Sequence, residues 1–370
     1  MYIDLKKWLI FVNSACLERS MKANIYLKLT KGSVMKTVLQ PDRHIRVITF
    51  FTCCLALFNI NAFAASNGNY VLMYDAQDIT EYNQKWANIY GPLELAAGGS
   101  LSVSKQDIIV TAVPFHVGVD FSVFDHLKYI AISTETFSVP ESGSLEFSAE
   151  IVAHTPGTEP YRLIQGCYGA AFSYGNVGDP CDLPYQDVAI EGQQAGVVLN
   201  MINFETGQLF DWFISENKAF ALIERLPTVV TGSPGTGLDL AYTQIIKEVD
   251  INPGKKQTVS IRYTRGPDES YVEYFLNGQL FARVDNVGVP LDKQEVPFSG
   301  YAPSTGDGEP LKDRLNSFVI GHGLFSLLDA YPYQHPDAPE LSVSIPMSER
   351  LFGQGAIGSW SKFKVTQKVK

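Results

Sequence analysis

The sequence predicts an all-β protein, a sandwich of two antiparallel sheets, and three observations carry that expectation. Across residues 195–227 apolar side chains alternate, and Thr206-Gly207 and Glu216-Asn217-Lys218 cut the stretch into three short strands. A second hairpin, 271–284, turns on Asn277-Gly278. Period-two alternation between such turn residues marks an antiparallel meander. The third observation is number: many short segments rich in Val, Ile, Phe and Tyr must close into a barrel or stack as two sheets to bury their apolar faces.

Taken in order, residues 1–34 read as an over-extended gene start, because Met35-Lys36 gives a leader of more usual length. Residues 35–64 read as a signal peptide. Arg43 and Arg46 supply the positive end, 47–58 an uncharged apolar run, and Ala62-Phe63-Ala64 the small-x-small pattern before a cut near Ala65. That run is shorter than the ~20 apolar residues a bilayer core requires. The remainder, 65–370, is expected to form a single β-sandwich domain, because no Pro/Ser/Gly linker divides residues 70–366. Its strands are expected at 108–113, 129–136, 143–153, 195–204, 209–215, 219–226, 258–264, 271–276, 279–284, 316–321 and 357–366, with short helical turns at 238–249 and 324–330.

The expected cut also sorts the cysteines and the charge. Cys16, Cys53 and Cys54 fall before it, leaving Cys167 and Cys181 as one even pair in an exported chain, the arithmetic of a disulfide. Nine of the 29 Lys and Arg and three of the 39 Asp and Glu precede residue 65, so the rest carries a net charge of −16. Phosphate contacts need a basic footprint, which argues against nucleic acid as a partner. No other apolar stretch is long enough to span a membrane, so a secreted or periplasmic location without membrane contact is expected, and the oligomeric state is left open.

Four blocks then bear a resemblance. They are Phe204-Glu205-Thr206 through Phe210-Asp211 to Glu224-Arg225-Leu226-Pro227; Tyr263-x-Arg265-Gly266 through Asn277-Gly278-Gln279 to Arg283-Val284-Asp285; Gly321-His322-Gly323-Leu324-Phe325 to Leu328-Asp329-Ala330; and Arg350-Leu351-Phe352-Gly353-Gln354-Gly355-Ala356. Together they resemble an uncharacterised domain family of bacteria and fungi. The resemblance implies a concanavalin A-like jelly roll, the fold of legume lectins and laminarinase-type glucanases. The Glu-x-Asp-x-x-Glu string that those glucanases share is absent; the nearest match is Glu146-Phe147-Ser148-Ala149-Glu150.

Candidate chemistry rests mainly on carboxylates. Glu146 and Glu150 share a strand face but sit ~13 Å apart at 3.3 Å per residue, too far to be an acid/nucleophile pair by themselves. Asp211 and Glu224 are the sharper pair. Any two-residue turn between their strands makes paired residue numbers sum to 433 or 435, which puts both carboxyls on one face, directly opposite or diagonal. Like charges so placed need a cation or a raised pKa, and a pair ~5 Å apart suits a retaining glycosidase. Trp212 and the rings of the 331–336 loop, Tyr333 and His335 among them, are candidates for stacking on sugar, against the ordinary expectation that a sandwich core consumes most aromatics. The histidines lack zinc-ligand spacing. Gly178-Asp179 with Asp182, and Asp307-Gly308-Glu309, offer oxygens to calcium without an EF-hand pattern and read first as turns, so no metal or other cofactor is required. The functional expectation is an exported carbohydrate-binding or carbohydrate-processing domain, with any catalysis of glycoside hydrolase type. The alternative is a non-catalytic structural or adhesion sandwich that binds another protein.

Overall fold

The computed structural model describes residues 61–63, 68–90, 99–116, 127–157, 164–168, 186–188, 195–225, 242–267, 269–287, 309–311, 315–326, 343–344 and 353–370. The chain divides into two units between Arg46 and Val47, and every described residue lies in the second.

Two large sheets dominate. The nine-stranded one runs Asn61–Phe63, Glu135–Ser138, Ser317–Ser326, Ala195–Ile202, Gln208–Ile214, Lys218–Arg225, Tyr242–Asp250, with Leu127–Ser133 also beside Ser317–Ser326 and Trp86–Tyr90 beyond it. The eight-stranded one runs Gln279–Val284, Ser270–Leu276, Gln257–Arg265, Gly143–His154, Ala356–Val369, Ile108–Ala112, Ser100–Val103, with Tyr70–Met73 against Ala356–Val369. Both are antiparallel except where Asn61–Phe63 pairs parallel with Glu135–Phe137. Hairpin neighbours such as Ala195–Ile202, Gln208–Ile214 and Lys218–Arg225 alternate with strands distant in sequence, such as Ser317–Ser326 beside Ala195–Ile202 and Ala356–Val369 between Gly143–His154 and Ile108–Ala112. Ten of the eleven expected strands are present with ends shifted by a few residues, and the eleventh, 129–136, is divided at Thr134 between Leu127–Ser133 and Glu135–Ser138.

Alternation decides what each face does. Leu199, Phe210, Trp212 and Ile223 of the nine-stranded sheet meet Leu145, Phe147, Ile261 and Trp360 of the other in one continuous inter-sheet core. Three buried polar atoms tie the sheets across it. Trp212 Nε1 donates to the Ser260 carbonyl at 3.0 Å, Trp360 Nε1 to that of Val198 at 3.0 Å, and the Tyr274 hydroxyl to that of Leu222 at 2.5 Å. The nine-stranded sheet has a second apolar cluster on its outer face, where Val198, Ile202, Leu209, Phe213, Phe220 and Leu222 are buried.

Phe213 lies over Gly196 on that outer face; a Cβ at Gly196 would stand 2.2 Å from the ring. Gly196→Ala is therefore expected to lower stability by ~1–3 kcal/mol through overpacking. Urea unfolding should show a lower midpoint at unchanged slope.

The helical expectation at 238–249 is corrected: Tyr242–Asp250 is a strand. Its adjacent Ile245 and Ile246 break the period of two and imitate a helix. As successive residues of a pleated strand they face opposite sides, Ile245 toward the outer cluster and Ile246 toward the inter-sheet core, and both faces of this sheet are apolar; the register shift between Ala221 and Leu222 falls beside them. At 324–330, residues up to Ser326 continue the Ser317–Ser326 strand, and 327–330 lie outside the described residues. The helix that does form, Ile79–Lys85, is capped by Asp78, whose Oδ1 accepts from Thr80 N at 2.8 Å and Glu81 N at 2.9 Å. The Asp78-x-x-Glu81 spacing of a capping box was its sequence signal.

Candidate functional site

The hairpin formed by Gln208–Ile214 and Lys218–Arg225 pairs Asp211 with Leu222 and Leu209 with Glu224, a sum of 433. Asp211 and Glu224 are thus diagonal neighbours on one face, as parity requires. That face is the outer one, because Phe210 and Trp212 on either side of Asp211 enter the inter-sheet core. Asn200 lies directly opposite Asp211 on the next strand, and its Nδ2 donates to Asp211 Oδ1 at 2.6 Å. The side chains of Asp211 and Glu224 are hydrogen-bonded to each other. All three are buried: Asn200 is 0% exposed, Asp211 1% and Glu224 8%.

Electrostatics follow from this burial. Loss of solvation pushes the Asp211 carboxyl well above the usual carboxylate range; the negative charge of Glu224 and the bond to it push further, and only the Asn200 amide pulls the other way. Asp211 accordingly holds its proton more tightly than an ordinary carboxyl group, beside a second carboxyl group. A bond that direct is closer than the ~5 Å separation of a retaining acid and nucleophile; the two groups form one acid/base unit.

The remaining candidates lie elsewhere. Glu146 and Glu150 occupy the outer face of the eight-stranded sheet, with the inter-sheet core between them and Asp211, so the four carboxylates share no groove. Each is ion-paired: Glu146 to Arg262 at 2.8 Å, Glu150 to Lys256 at 2.9 Å and to Lys362 at 2.7 Å. Hydrogen bonds from Lys256 and then Lys362 hold Glu150 below the usual carboxylate range. An open cleft of ≈ 540 Å³ on this second face is lined by Asn69, Arg262, Thr264, Glu273 and Gln367, among others. Its Arg262 is neutralised by Glu146 and, at 3.5 Å, by Glu273, the pattern of a solvated sheet face.

Trp212 as a sugar platform is also corrected. It is fully buried between the sheets, packed edge-on against Tyr274, and even residues of its strand face inward. Tyr333, His335, Cys181, Asp179, Asp182 and Asp307 lie outside the described residues. Cys167 falls in the Ile164–Tyr168 strand, opposite Ser344. Among the described residues, no group of three or more His, Cys, Asp or Glu is placed to hold a metal ion, and no helix is long and apolar enough to cross a membrane.

His322, which lacks zinc-ligand spacing in the sequence, is buried between the sheets with Trp86 and Trp360 rings around it. Its Nε2 bonds the Tyr82 hydroxyl at 3.1 Å, Tyr82 bonds Tyr129, and its Nδ1 has no partner among the described residues. Burial lowers its pKa to about 3. Asn200 was not among the residues the sequence singled out. Its signal was a lone amide in the apolar alternation of Val198, Asn200 and Ile202.

Residues 83–369 match the model of DUF6081, a family of unknown function. The chain belongs to that family. No curated protein matches it. Among solved structures, this DUF6081 chain is similar to an endo-1,3-β-glucanase from Streptomyces sioyaensis at 12% identity, covering 84% of this chain and 100% of that one, with a TM-score of 0.36. It is similar to the exolytic alginate lyase AlyA5 from Zobellia galactanivorans at 9% identity, over 78% and 96% of the two chains, TM-score 0.39. It is also similar to the carbohydrate-binding module CBM66 from Bacillus subtilis at 8% identity, over 77% and 93%, TM-score 0.25. By name these proteins act on or bind carbohydrate; likeness this distant says nothing of activity, since one sandwich hosts many.

Proposed function

We propose that this DUF6081 protein is an exported carbohydrate-binding domain whose glycan site is the outer face of the nine-stranded sheet. The observation that carries the reading is the cluster of Asn200, Asp211 and Glu224, a buried polar centre beside the apolar cluster of Val198, Ile202, Leu209, Phe213 and Leu222. Buried polar groups are costly unless paired, and apolar surface with a few convergent polar groups is the make-up of a ligand site. Hydroxyls of a sugar would exchange hydrogen bonds with the acid pair while its C–H faces pack on the apolar surround.

A hydrolytic role for the same pair is the second reading. It is favoured by Asp211 alone, whose pKa burial raises, the direction that suits a proton donor. The hydrogen-bonded spacing favours binding over a two-carboxyl displacement.

The test is a screen of polysaccharides and chromogenic glycosides against the wild type, Asp211→Asn and Glu224→Gln. We expect the wild type to bind at least one glycan and both variants, still folded, to lose it by tenfold or more. If turnover is seen, it should fall by ~10²–10⁴ in Asp211→Asn, the contribution of a general acid. Unchanged binding in both variants removes the site, and a wild type that binds no glycan favours the structural or adhesion role.

A further inference from the structure

A row of polar side chains crosses the outer face of the eight-stranded sheet. Thr264 pairs with Tyr271 on one side and with Ser144 on the other, and Ser144 pairs with Lys368. Residues of opposite parity on the same strands, Tyr263, Val272, Leu145 and Val365, enter the inter-sheet core, so the four members of the row point outward together. Three strand spacings of ~4.8 Å put ~14 Å between its ends. All four line the open cleft of ≈ 540 Å³, with Arg262 and Glu273 beside them. Ser144 and Thr264 face outward yet are only 8% and 4% exposed; they form the floor, overhung by the longer side chains around them. The bonds of Arg262 to Glu146 and Glu273 hold one wall in place. Among the described residues nothing bonds the Ser144 or Thr264 hydroxyl, and no carboxylate answers the exposed Lys368 ammonium.

We infer that this cleft binds a sugar acid, a polyhydroxylated ring carrying one carboxylate, independently of the site around Asp211. Charge is sorted along the cleft. The ammonium of Lys368 stands at one end, and Glu273 shares the strand of Tyr271 at the other. A ligand carboxylate at Lys368 gains a charge-assisted hydrogen bond. Ring hydroxyls both donate and accept, as the Ser144 and Thr264 hydroxyls of the floor do, and Glu273 accepts from a hydroxyl at the far end. The same glutamate repels a second carboxylate there, which fixes the direction of the ligand and limits it to one acid group. A neutral sugar leaves Lys368 unanswered, and a bare carboxylate leaves the floor unused. Both halves of the ligand are therefore needed, and a site that bonds hydroxyls rejects a ligand lacking them.

The experiment titrates D-galacturonate and D-glucuronate, with D-galactose and D-glucose as neutral counterparts and acetate as the bare carboxylate, into the wild type, Lys368→Gln, Thr264→Val and Ser144→Ala, with circular dichroism to confirm folding. The wild type should bind one of the two sugar acids about tenfold or more tightly than its neutral counterpart and than acetate. Lys368→Gln should bring that sugar acid down to the level of the neutral sugar, and each hydroxyl deletion should weaken it about threefold or more. Lys256→Gln, which removes a lysine of the same sheet face paired with Glu150, should bind like the wild type; an equal loss there would reduce the effect to surface charge and overturn the inference. So would a neutral sugar or acetate bound as tightly as the sugar acids, a folded Lys368→Gln that binds like the wild type, or a wild type that binds neither acid. Should the floor variants fail to fold, Lys368→Gln, an exposed change, still decides. Polygalacturonate that displaces the bound sugar acid identifies a chain end as its source, and polygalacturonate that does not identifies the free sugar. None of these readings involves Asp211, so the glycan site on the other sheet and this cleft stand or fall separately.

Discussion

Acidifying the protein from pH 6.5 toward pH 3 is expected to remove ~5 kcal/mol of folding stability through His322 alone. The imidazole is sealed among Trp86, Trp360 and Phe363, and burial lowers its pKa to about 3, whereas an unfolded chain protonates near 6.5. Between those values the unfolded state binds the extra proton. Stability therefore rises with pH across the window, is complete above it, and is lost as pH falls through it, at ~1.4 kcal/mol per pH unit. Carboxylates titrate in the same range, so the diagnostic is a difference. Urea unfolding from pH 4 to pH 7 should give a slope of stability against pH shallower by ~1 kcal/mol per unit in His322→Gln than in the wild type. Equal slopes would show that His322 can protonate without unfolding. If His322→Gln fails to fold, imidazole nitrogen shifts of the wild type that stay neutral at pH 5 carry the same test.

The sheets were legible because their strands are short, rich in Val, Ile, Phe and Tyr, and cut by turn residues. The 195–227 meander and the Asn277-Gly278 hairpin combine period-two patterning with turn residues that admit little else; Asn277 and Gly278 both take positive φ, 51° and 80°. Tyr242–Asp250 was not legible, because Ile245 and Ile246 serve the apolar clusters on opposite faces of the sheet, and two consecutive apolar residues hide the period of two. The same logic governs the site. Parity between Asp211 and Glu224 survives either register of a two-residue turn, so their shared face could be read. Which face it is depends on what the second sheet covers, and that is a tertiary fact. Trp212, one residue from Asp211, went to the core for the reason that sent Asp211 outward. Glu146 and Glu150 belong to the other sheet, a separation no local spacing encodes.

Removing the acid at the centre of the site should make the fold more stable, and increasingly so as pH rises. Asp211 has a folded-state pKa raised by burial and by Glu224, so the folded state holds a proton that the unfolded chain releases near 3.8. Its contribution is favourable at low pH and is lost as pH climbs from the unfolded value through the folded one, opposite in sign to that of His322. Asparagine keeps the shape. Its Oδ1 still accepts from Asn200, its amide can donate to the Glu224 carboxyl, and it has no proton to lose. Asp211→Asn should match the wild type near pH 4 and exceed it by on the order of 1–3 kcal/mol at pH 8, read as a rising difference in urea midpoints. A carboxyl retained in an apolar face at that cost is expected of a site held for a ligand, where stability and function trade against each other. The prediction is therefore double: the same substitution that stabilises the sandwich at pH 8 should abolish glycan binding. A variant less stable than the wild type at pH 8 would instead make Asp211 a structural link between Asn200 and Glu224, and would take the acid pair out of the site.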